Sequence, residues 1–239
     1  MILLVLITIS LLNAVNPTID ISSISSNGYL STTSHGSVID ESGIYIAGGW
    51  NGNSKNYFQK YNITINSWQS IHNNGVFTSR CQFAMSIYDH IIYVIGGFHP
   101  APDFIYNDMI SYNIKTNTWR SSTYKAIMCN RAHAYNGVIY LIAGQTQSGF
   151  VNDVMKYSIA TSTWSTITTT GDTLIARRSY GSTINDNMIY VIGGWGSFSL
   201  SDVMQFNIHT SVWTKIIYTG SFTGLTYYYY YYYYYYHYY

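Results

Sequence analysis

Short apolar runs recur four times along the chain, three of them ending at a glycine pair and one at Ala143-Gly144. In residues 188–208 an apolar, β-branched run closes at Gly193-Gly194, a polar loop follows, and a second alternating run begins at Asp202. A polar turn then leads to Trp213. Alternation of apolar and polar residues over short runs, punctuated by turn residues, is typical of β-strands. Because the same pattern returns at residues 44–68, 92–119 and 139–164, the chain is predicted to be all-β and built from repeats.

The repeats keep a length near 50 residues when they are measured from either of two landmarks. Steps between the second glycines of successive pairs are 48, 47 and 50 residues, and steps between the tryptophans are 51, 45 and 49 residues. The second glycines are Gly49, Gly97, Gly144 and Gly194. The tryptophans are Trp68, Trp119, Trp164 and Trp213. Two landmarks with one period indicate one structural unit per repeat.

The period and these residues resemble the kelch motif, in which an apolar run enters Gly-Gly, residues of the Asn/Ser-Asp-Val kind open a strand, and a turn leads to Trp. The likeness covers residues 19–219, with Ala143 standing where the first glycine of the third pair belongs. It implies a kelch-type β-propeller over residues 17–226. Four recognisable four-stranded blades are expected, at about residues 31–73, 80–124, 127–169 and 177–219.

The glycine pairs and the tryptophans are predicted to be structural. A residue without a Cβ lets strands approach closely, and a repeated indole is expected to pack between adjacent blades rather than to form a row that stacks on a ligand. The structural glycines are Gly48, Gly49, Gly96, Gly97, Gly144, Gly193 and Gly194. The structural tryptophans are the four named above.

The first residues predict a secreted protein. Residues 1–12 are almost wholly apolar, too few to span a bilayer but suited to a signal peptide over residues 1–15, which implies no stable membrane insertion after its removal. The alternative is a buried propeller strand in a cytoplasmic protein. Asn62, in an Asn-Ile-Thr sequon, is the predicted glycosylation site.

Both ends of the repeat region predict an incomplete propeller. Residues 18–24 align with the fourth strand of the third repeat, residues 163–169, and are expected to form a stray outer strand. Residues 227–239 form a low-complexity tail with ten consecutive tyrosines, which carries no pattern that specifies a core. We therefore expect a truncated kelch chain with an incomplete or open ring, and self-association through open sheet edges. An adhesive tyrosine tail is the alternative.

Composition and cysteine register limit the partners and the chemistry. Charged residues make up 9% of the chain and the net charge is +1, so no nucleic-acid partner is expected.

Alignment from the Ile-Tyr landmarks matches Cys81 to Met128 rather than to Cys129. This predicts that the side chains of Cys81 and Cys129 point to opposite faces of their sheets. Two buried thiols are therefore favoured over a disulfide.

Motifs for catalysis give no enzyme hypothesis of comparable strength. The seven histidines show no metal-ligand spacing, and no nucleophile motif or phosphate loop is present in the sequence. We therefore predict a non-enzymatic protein without metal or cofactor. The alternatives are an extracellular copper-dependent oxidase of the kelch type and a nonfunctional truncated fragment.

The resemblance also implies a ligand site on the loop face of the propeller. In kelch domains that bind peptides, residues just after the glycine pair and an arginine before the first strand form the pocket. Arginine offers bidentate hydrogen bonds and aromatic rings offer stacking, so a protein or glycan partner is predicted. In the alternative, the arginines bond backbone carbonyls between blades and the aromatic rings cover blade ends. The candidate ligand-binding residues are Trp50, Phe98, Gln145, Trp195, Arg80 and Arg177, with Arg178 adjacent and Arg131 out of register because Ile127 aligns with Arg80.

Overall fold

The regular structure of the described residues consists entirely of β-strands. The computed structural model describes residues 31–101 and 103–220. The predicted signal peptide (1–15), the stray strand (18–24) and the tyrosine tail (227–239) lie outside these residues. In the described part, no helix is long and apolar enough to cross a membrane. The prediction of an all-β fold is confirmed.

The chain divides into two compact units, and the first, Met1–Ala126, contains two four-stranded antiparallel sheets. Neighbouring strands follow one another in sequence, so each sheet is a meander. Blade 1 consists of β1 (Gly36–Asp40), β2 (Gly43–Ala47), β3 (Phe58–Asn62) and β4 (Ser67–Ser70). Blade 2 consists of β5 (Ala84–Tyr88), β6 (Ile91–Ile95), β9 (Asp108–Asn113) and β10 (Thr118–Thr123), with the two-stranded ribbon β7 (Phe98–Pro100) and β8 (Asp103–Ile105) between β6 and β9.

The second unit, Ile127–Tyr239, contains two further sheets of the same order. Blade 3 consists of β11 (Arg131–Tyr135), β12 (Val138–Thr146), β13 (Gly149–Ser158) and β14 (Thr163–Ile167). Blade 4 consists of β16 (Gly181–Asn185), β17 (Met188–Trp195), β18 (Ser199–Asn207) and β19 (Val212–Ile216), and β15 (Thr170–Gly171) pairs with β19 in parallel. The prediction of four four-stranded blades is confirmed.

In blades 3 and 4 the middle strands are longer than the apolar runs. The sequence places the second strand of blade 4 at residues 188–192, followed by a polar loop, whereas β17 continues to Trp195 and pairs with β18 through Gly194–Leu200 and Trp195–Ser199. A register shift between Ile192 and Gly194 lets the ladder continue past the glycine pair. Backbone pairing at this hairpin therefore does not depend on apolar side chains.

Within each unit, one face of a blade packs against the opposite face of the next blade. In the first unit, Tyr45 and Phe58 of blade 1 share a core with Ile92 and Ile110 of blade 2. In the second unit, blade 3 contributes Tyr140, Ile142 and Val154, and blade 4 contributes Ile189, Val191, Met204 and Phe206. Successive residues of a strand point to opposite faces of the sheet. Because both faces of a blade are apolar, the second strand of each repeat appears in the sequence as a continuous apolar run.

Candidate functional site

The four residues that follow the glycine positions occupy equivalent places. Each forms an isolated antiparallel bridge with the segment that enters its own blade. The bridges are Thr33–Trp50, Cys81–Phe98, Met128–Gln145 and Arg178–Trp195. One residue before these partners stand Arg80, Ile127 and Arg177, so the structure gives the register that the gapless alignment gives and leaves Arg131 outside it.

Arg80 is fully buried and forms an ion pair with Asp108, whose side chain is partly exposed. Its Nη1 and Nη2 atoms donate to the two carboxylate oxygens of Asp108 at 2.6 and 2.9 Å. Nη1 also donates to the Gly96 carbonyl at 3.1 Å, and Nε donates to the Thr78 carbonyl at 3.3 Å. The guanidinium lies 3.8 Å from the centre of the Tyr106 ring. With the residue fully buried, its donors are used within the fold.

Arg177 repeats this arrangement in blade 4. Nη1 and Nη2 donate to Asp202 at 2.6 and 2.7 Å, Nη1 donates to the Gly193 carbonyl at 2.9 Å, and Nε donates to the Ile175 carbonyl at 2.9 Å. Its own carbonyl accepts the Gly144 amide of blade 3 at 2.9 Å, and the Arg80 carbonyl accepts the Gly49 amide in the same way. Both candidate arginines are thus placed to stabilise blades. A ligand would contact neighbouring residues rather than the buried guanidinium groups.

Sequence reasoning missed the two aspartates that hold these arginines. Asp108 and Asp202 lie 28 and 25 residues after their partners, Asp108 as the first residue of β9 and Asp202 as the fourth residue of β18. The Asn/Ser-Asp-Val element of the repeat carries this aspartate, so the signal was present in the motif. The differing separation hid it, because the loop between the second and third strands differs in length from blade to blade.

The aromatic candidates differ in accessibility. Phe98 is buried, whereas Trp50, Gln145 and Trp195 are half-buried. Gln145 accepts a hydrogen bond through Oε1 from Nη1 of Arg178, whose guanidinium lies 5.3 Å from the Phe150 ring centre. Of the six candidate residues, the structure therefore leaves Trp50, Gln145 and Trp195 at least partly open to solvent.

Two hairpin tips carry exposed phenylalanines that were not among the candidates. Phe104 lies in β8 with 46% of its surface exposed, and Phe198 lies in the β17–β18 turn with 58% exposed. Near Phe198, the position of a Cβ on Gly196 would be 2.9 Å from the Ala176 carbonyl and 3.6 Å from Ile175, a residue that is also exposed. This close approach joins the hairpin to the segment that enters blade 4.

Each of the four tryptophans faces an aromatic ring on the neighbouring third strand. Ring-centre distances are 5.3, 4.7, 5.1 and 5.0 Å for the pairs Tyr61–Trp68, Tyr112–Trp119, Tyr157–Trp164 and Phe206–Trp213. Trp119 also reaches blade 1, where its ring lies 4.9 Å from that of Phe58 and its Nε1 donates to the His72 carbonyl at 3.2 Å. Trp213 is 2% exposed, and the other three are half-buried.

The glycine positions combine left-handed backbone with close contacts. Gly193 and Gly194 have φ angles of 58° and 107°, and a Cβ on Gly194 would lie 2.8 Å from Tyr180 Cβ and 2.9 Å from the Arg178 carbonyl. Ala143, which replaces the first glycine of the third pair, keeps the left-handed conformation with φ of 45°. In the third repeat the first position therefore carries a methyl group at a conformational cost, whereas a Cβ on Gly48 of the first repeat would lie 2.5 Å from the Arg80 carbonyl. The second position of each repeat leaves no room for a Cβ.

Asn62 has a backbone role that its sequon does not reveal. Its Oδ1 accepts the amides of Thr64 and Ile65 at 3.0 and 3.3 Å in the β3–β4 turn. Asn113 and Asn207 make the same turn in blades 2 and 4. The turn explains the asparagine without a glycan, and glycosylation at Asn62 stays a prediction.

Cys81 and Cys129 are both present as buried thiols.

His133 and Ser182 join the innermost strands of blades 3 and 4. The His133 Nε2 atom lies 2.6 Å from Ser182 Oγ, and Arg131 lies on the same strand. Burial, with a smaller contribution from the Arg131 charge, lowers the pKa of His133 to about 4. The imidazole is therefore neutral at pH 7 and is a poor base for activating the serine.

His133 should make the second unit sensitive to mild acid. The pKa of His133 is lower in the folded chain than in the unfolded chain. The contribution of the neutral imidazole to the free energy of unfolding is therefore complete above pH 6.5 and is lost as the pH falls from 6.5 towards 4. We expect urea unfolding of the wild-type chain to give a free energy of unfolding about 2 kcal/mol lower at pH 4.5 than at pH 7. The His133→Gln variant should not show this decrease. Replacing the exposed His209 with Gln serves as the control, and an equal loss in both variants would contradict the assignment.

The described residues bring no group of three or more His, Cys, Asp or Glu side chains into a geometry that would hold a metal ion. His133 and Ser182 are within hydrogen-bond distance, as in a catalytic dyad, but the low pKa of His133 argues against a role as a general base.

Meander sheets of four strands, each with a left-handed step after its second apolar run and a tryptophan on its fourth strand, define a β-propeller protein of the kelch class. The family model described as the KLHDC2/KLHL20/DRC7 Kelch-repeats domain matches residues 34–224. The chain belongs to the kelch-repeat family.

Curated relatives include several poxvirus proteins. The chain is 39% identical over 59 residues to the Kelch repeat and BTB domain-containing protein 1 of Ectromelia virus (strain Moscow), an alignment that covers 25% of this chain and 10% of the relative. It is 37% identical over 59 residues to the protein of that name from Vaccinia virus (strain Copenhagen), with the same coverage. It is 27% identical over 115 residues to the Kelch repeat and BTB domain-containing protein 2 of Ectromelia virus (strain Moscow), covering 47% of this chain and 20% of the relative. The chain thus matches a small part of each relative's length.

Proposed function

We propose that this kelch-repeat chain is a non-enzymatic module that binds a protein partner through hairpins at the loop ends of its blades. Kelch-repeat relatives are generally protein-interaction modules. The observation that carries the proposal is the exposure of large apolar side chains at hairpin tips that rigid ladders hold in place. Exposed aromatic residues on a preorganised scaffold are typical anchors of protein interfaces.

The second unit offers the better-defined surface. We call Gln145, Ile175, Arg178, Trp195 and Phe198 the loop surface. Phe198 and Ile175 supply exposed apolar area, and Trp195 is fixed by two backbone hydrogen bonds of 2.8 Å with Arg178. The guanidinium of Arg178 is held by the Gln145 amide. This surface combines an apolar anchor with polar groups whose positions are set, which favours an extended peptide segment carrying an apolar side chain.

Phe198 is expected to be the main anchor. Peptides selected from a displayed random library against the full chain should lose at least about tenfold in affinity on Phe198→Asp, because burying an apolar anchor of this size contributes about 1.5–3 kcal/mol. Binding is measured by titration calorimetry with the selected peptides. Ile65→Asp is the matched control, since Ile65 has the same 58% exposure but lies in the β3–β4 turn of the first unit.

Trp195→Ala separates a binding role from a structural one. If Trp195 contacts the partner, the variant weakens peptide binding and keeps the wild-type unfolding curve. If it only covers the blade end, stability falls and affinity is retained. Trp50→Ala tests the equivalent position in the first unit. Selected peptides that bind all variants equally would remove the loop surface from the proposal, and a glycan array on the same samples tests the glycan alternative.

We further propose that the protein is secreted. The apolar start of the sequence and the sequon at Asn62 support this localisation. Expression of the full chain in cultured cells, with detection in the medium and an enzymatic deglycosylation shift, tests both together.

A further inference from the structure

Four exposed apolar side chains lie at the loop end of blade 4. Phe198 occupies the β17–β18 turn and Ile175 lies in the segment that enters the blade, with 58 and 42% of their surfaces exposed. Ile217 and Tyr218 follow the last residue of β19 and are 96 and 40% exposed. Apolar side chains gathered in this way at one end of a blade favour contact with another segment or molecule.

The chain leaves blade 4 beside the loop surface. β18 and β19 are antiparallel, with Val203 opposite Ile216, so β19 runs towards the end of the sheet where β18 begins. The Tyr218 hydroxyl donates a hydrogen bond to the Ser201 carbonyl on β18. Ser201 is three residues after Phe198, and three strand residues span about 10 Å. The segment that follows Tyr218 therefore starts close to the exposed phenylalanine.

The composition of the following segment suits an apolar surface. Residues 221–239 contain 12 tyrosines together with Phe222 and Leu225, and no Lys, Arg, Asp or Glu. Tyrosine combines a large apolar ring with a hydroxyl that hydrogen-bonds to water. Such a segment covers Phe198 without burying a charge, and its rings are suited to stacking on the Arg178 guanidinium. In extended form these 19 residues reach about 60 Å, so their length does not limit the contact.

We propose that residues 221–239 fold back on the loop surface of the same chain and occupy the place that a peptide partner needs, an inference that rests on the function proposed above. A segment tethered by a short linker has an effective concentration in the millimolar range, so contacts of modest strength keep it bound. A partner then binds only the fraction of chains whose loop surface is open, and its apparent affinity falls by that factor. The contact is autoinhibitory.

Chymotrypsin tests the contact in the absence of any partner, because this protease cleaves after aromatic residues. Cleavage within residues 227–236 is expected to be at least about tenfold slower in the wild-type chain than in Phe198→Asp, which removes the apolar anchor. Mass spectrometry quantifies the released fragments. Ile175→Asp is a second variant at an exposed position and should also accelerate cleavage, whereas Ile65→Asp in the first unit is the control and should leave the rate unchanged.

Peptide binding provides the second measurement. In a serine variant, Phe222, Leu225 and the tyrosines of residues 227–236 are replaced with serine, which keeps the length of the segment. Peptides are selected from a displayed random library against this variant, and those whose affinity falls on Phe198→Asp are retained. Calorimetry should show that they bind the serine variant at least about tenfold more tightly than the wild-type chain. Circular dichroism shows whether each variant is folded.

The outcomes separate this inference from the proposed function. Equal cleavage rates in the wild-type chain, Phe198→Asp and Ile175→Asp would overturn the fold-back contact, even if selected peptides bind. Equal peptide affinity of the wild-type chain and the serine variant would overturn the competition. Slow cleavage of the wild-type chain with no peptides selected would support the contact and contradict peptide binding. Protection that is lost on dilution would assign the segment to a second copy and would overturn the intramolecular contact.

Discussion

Replacing Asp202 with alanine is expected to destabilise the chain by about 3–5 kcal/mol, since the change leaves the fully buried Arg177 guanidinium without its carboxylate. The two charge-assisted hydrogen bonds of 2.6 and 2.7 Å would be lost, while the Gly193 carbonyl alone would remain on Nη1. Urea unfolding of the full chain, followed by tryptophan fluorescence, measures the loss.

Removing both partners should be much less harmful than removing one. The third repeat has Ile127 at the arginine position, which shows that an apolar side chain fits this place in a blade. We therefore expect Arg177→Ile combined with Asp202→Ala to recover much of the stability that Asp202→Ala loses, because no uncompensated charge remains. Asp108→Ala repeats the experiment against Arg80 in the first unit. Additive losses in the double variant would mean that the two side chains contribute independently, and would contradict the assignment of the loss to an unpaired buried charge.

Replacing Trp213 with alanine is expected to cost about 3–5 kcal/mol, the range found for large aromatic side chains in cores. Trp213 is 2% exposed, packs on Phe206 with ring centres 5.0 Å apart, and lies in the core shared by blades 3 and 4. The loss is measured by chemical unfolding of the full chain, with the second unit expected to unfold first.

Trp68 is the matched control for Trp213, because it occupies the same position in blade 1 and is half-buried. Trp68→Ala removes the same side chain with its Tyr61 contact of 5.3 Å, but it takes less apolar area from the core. We expect at most about half the loss of Trp213→Ala. Equal losses would mean that the aromatic pair within each blade, rather than packing between blades, sets the energy of the tryptophan.

The repeat pattern predicted the sheets well because it reflects the backbone. Apolar runs of five residues, a left-handed step at the glycine pair and a turn before tryptophan each require particular φ angles or particular burial, and these requirements are local. Register followed from the same landmarks. The bridge of Met128 with Gln145 places Met128, rather than Cys129, at the position of Cys81, as the alignment indicated.

The candidate site was harder to predict because it depends on contacts between distant residues. The residues adjacent to Arg80 and Arg177 in the sequence do not show that an aspartate on the third strand pairs with each arginine. The sequence alone therefore does not distinguish a buried arginine from a ligand-binding one. Phe104 and Phe198 were overlooked for a related reason. Both lie in segments that read as loops, and their exposure depends on hairpins whose backbone pairing leaves no trace in the apolar pattern.

The linker between blades 3 and 4 covers the free edge of β19, the last strand of blade 4. Thr170 and Asp172 donate backbone hydrogen bonds to the Ser211 and Trp213 carbonyls at 3.0 and 2.9 Å, and the Asp172 carboxylate accepts the Lys215 amide at 2.7 Å. Amides and carbonyls that would otherwise template an incoming polypeptide are thereby occupied. Three residues of connecting chain therefore occupy the edge of β19 to which an incoming strand could add, which makes this edge a poor template for extension of the sheet.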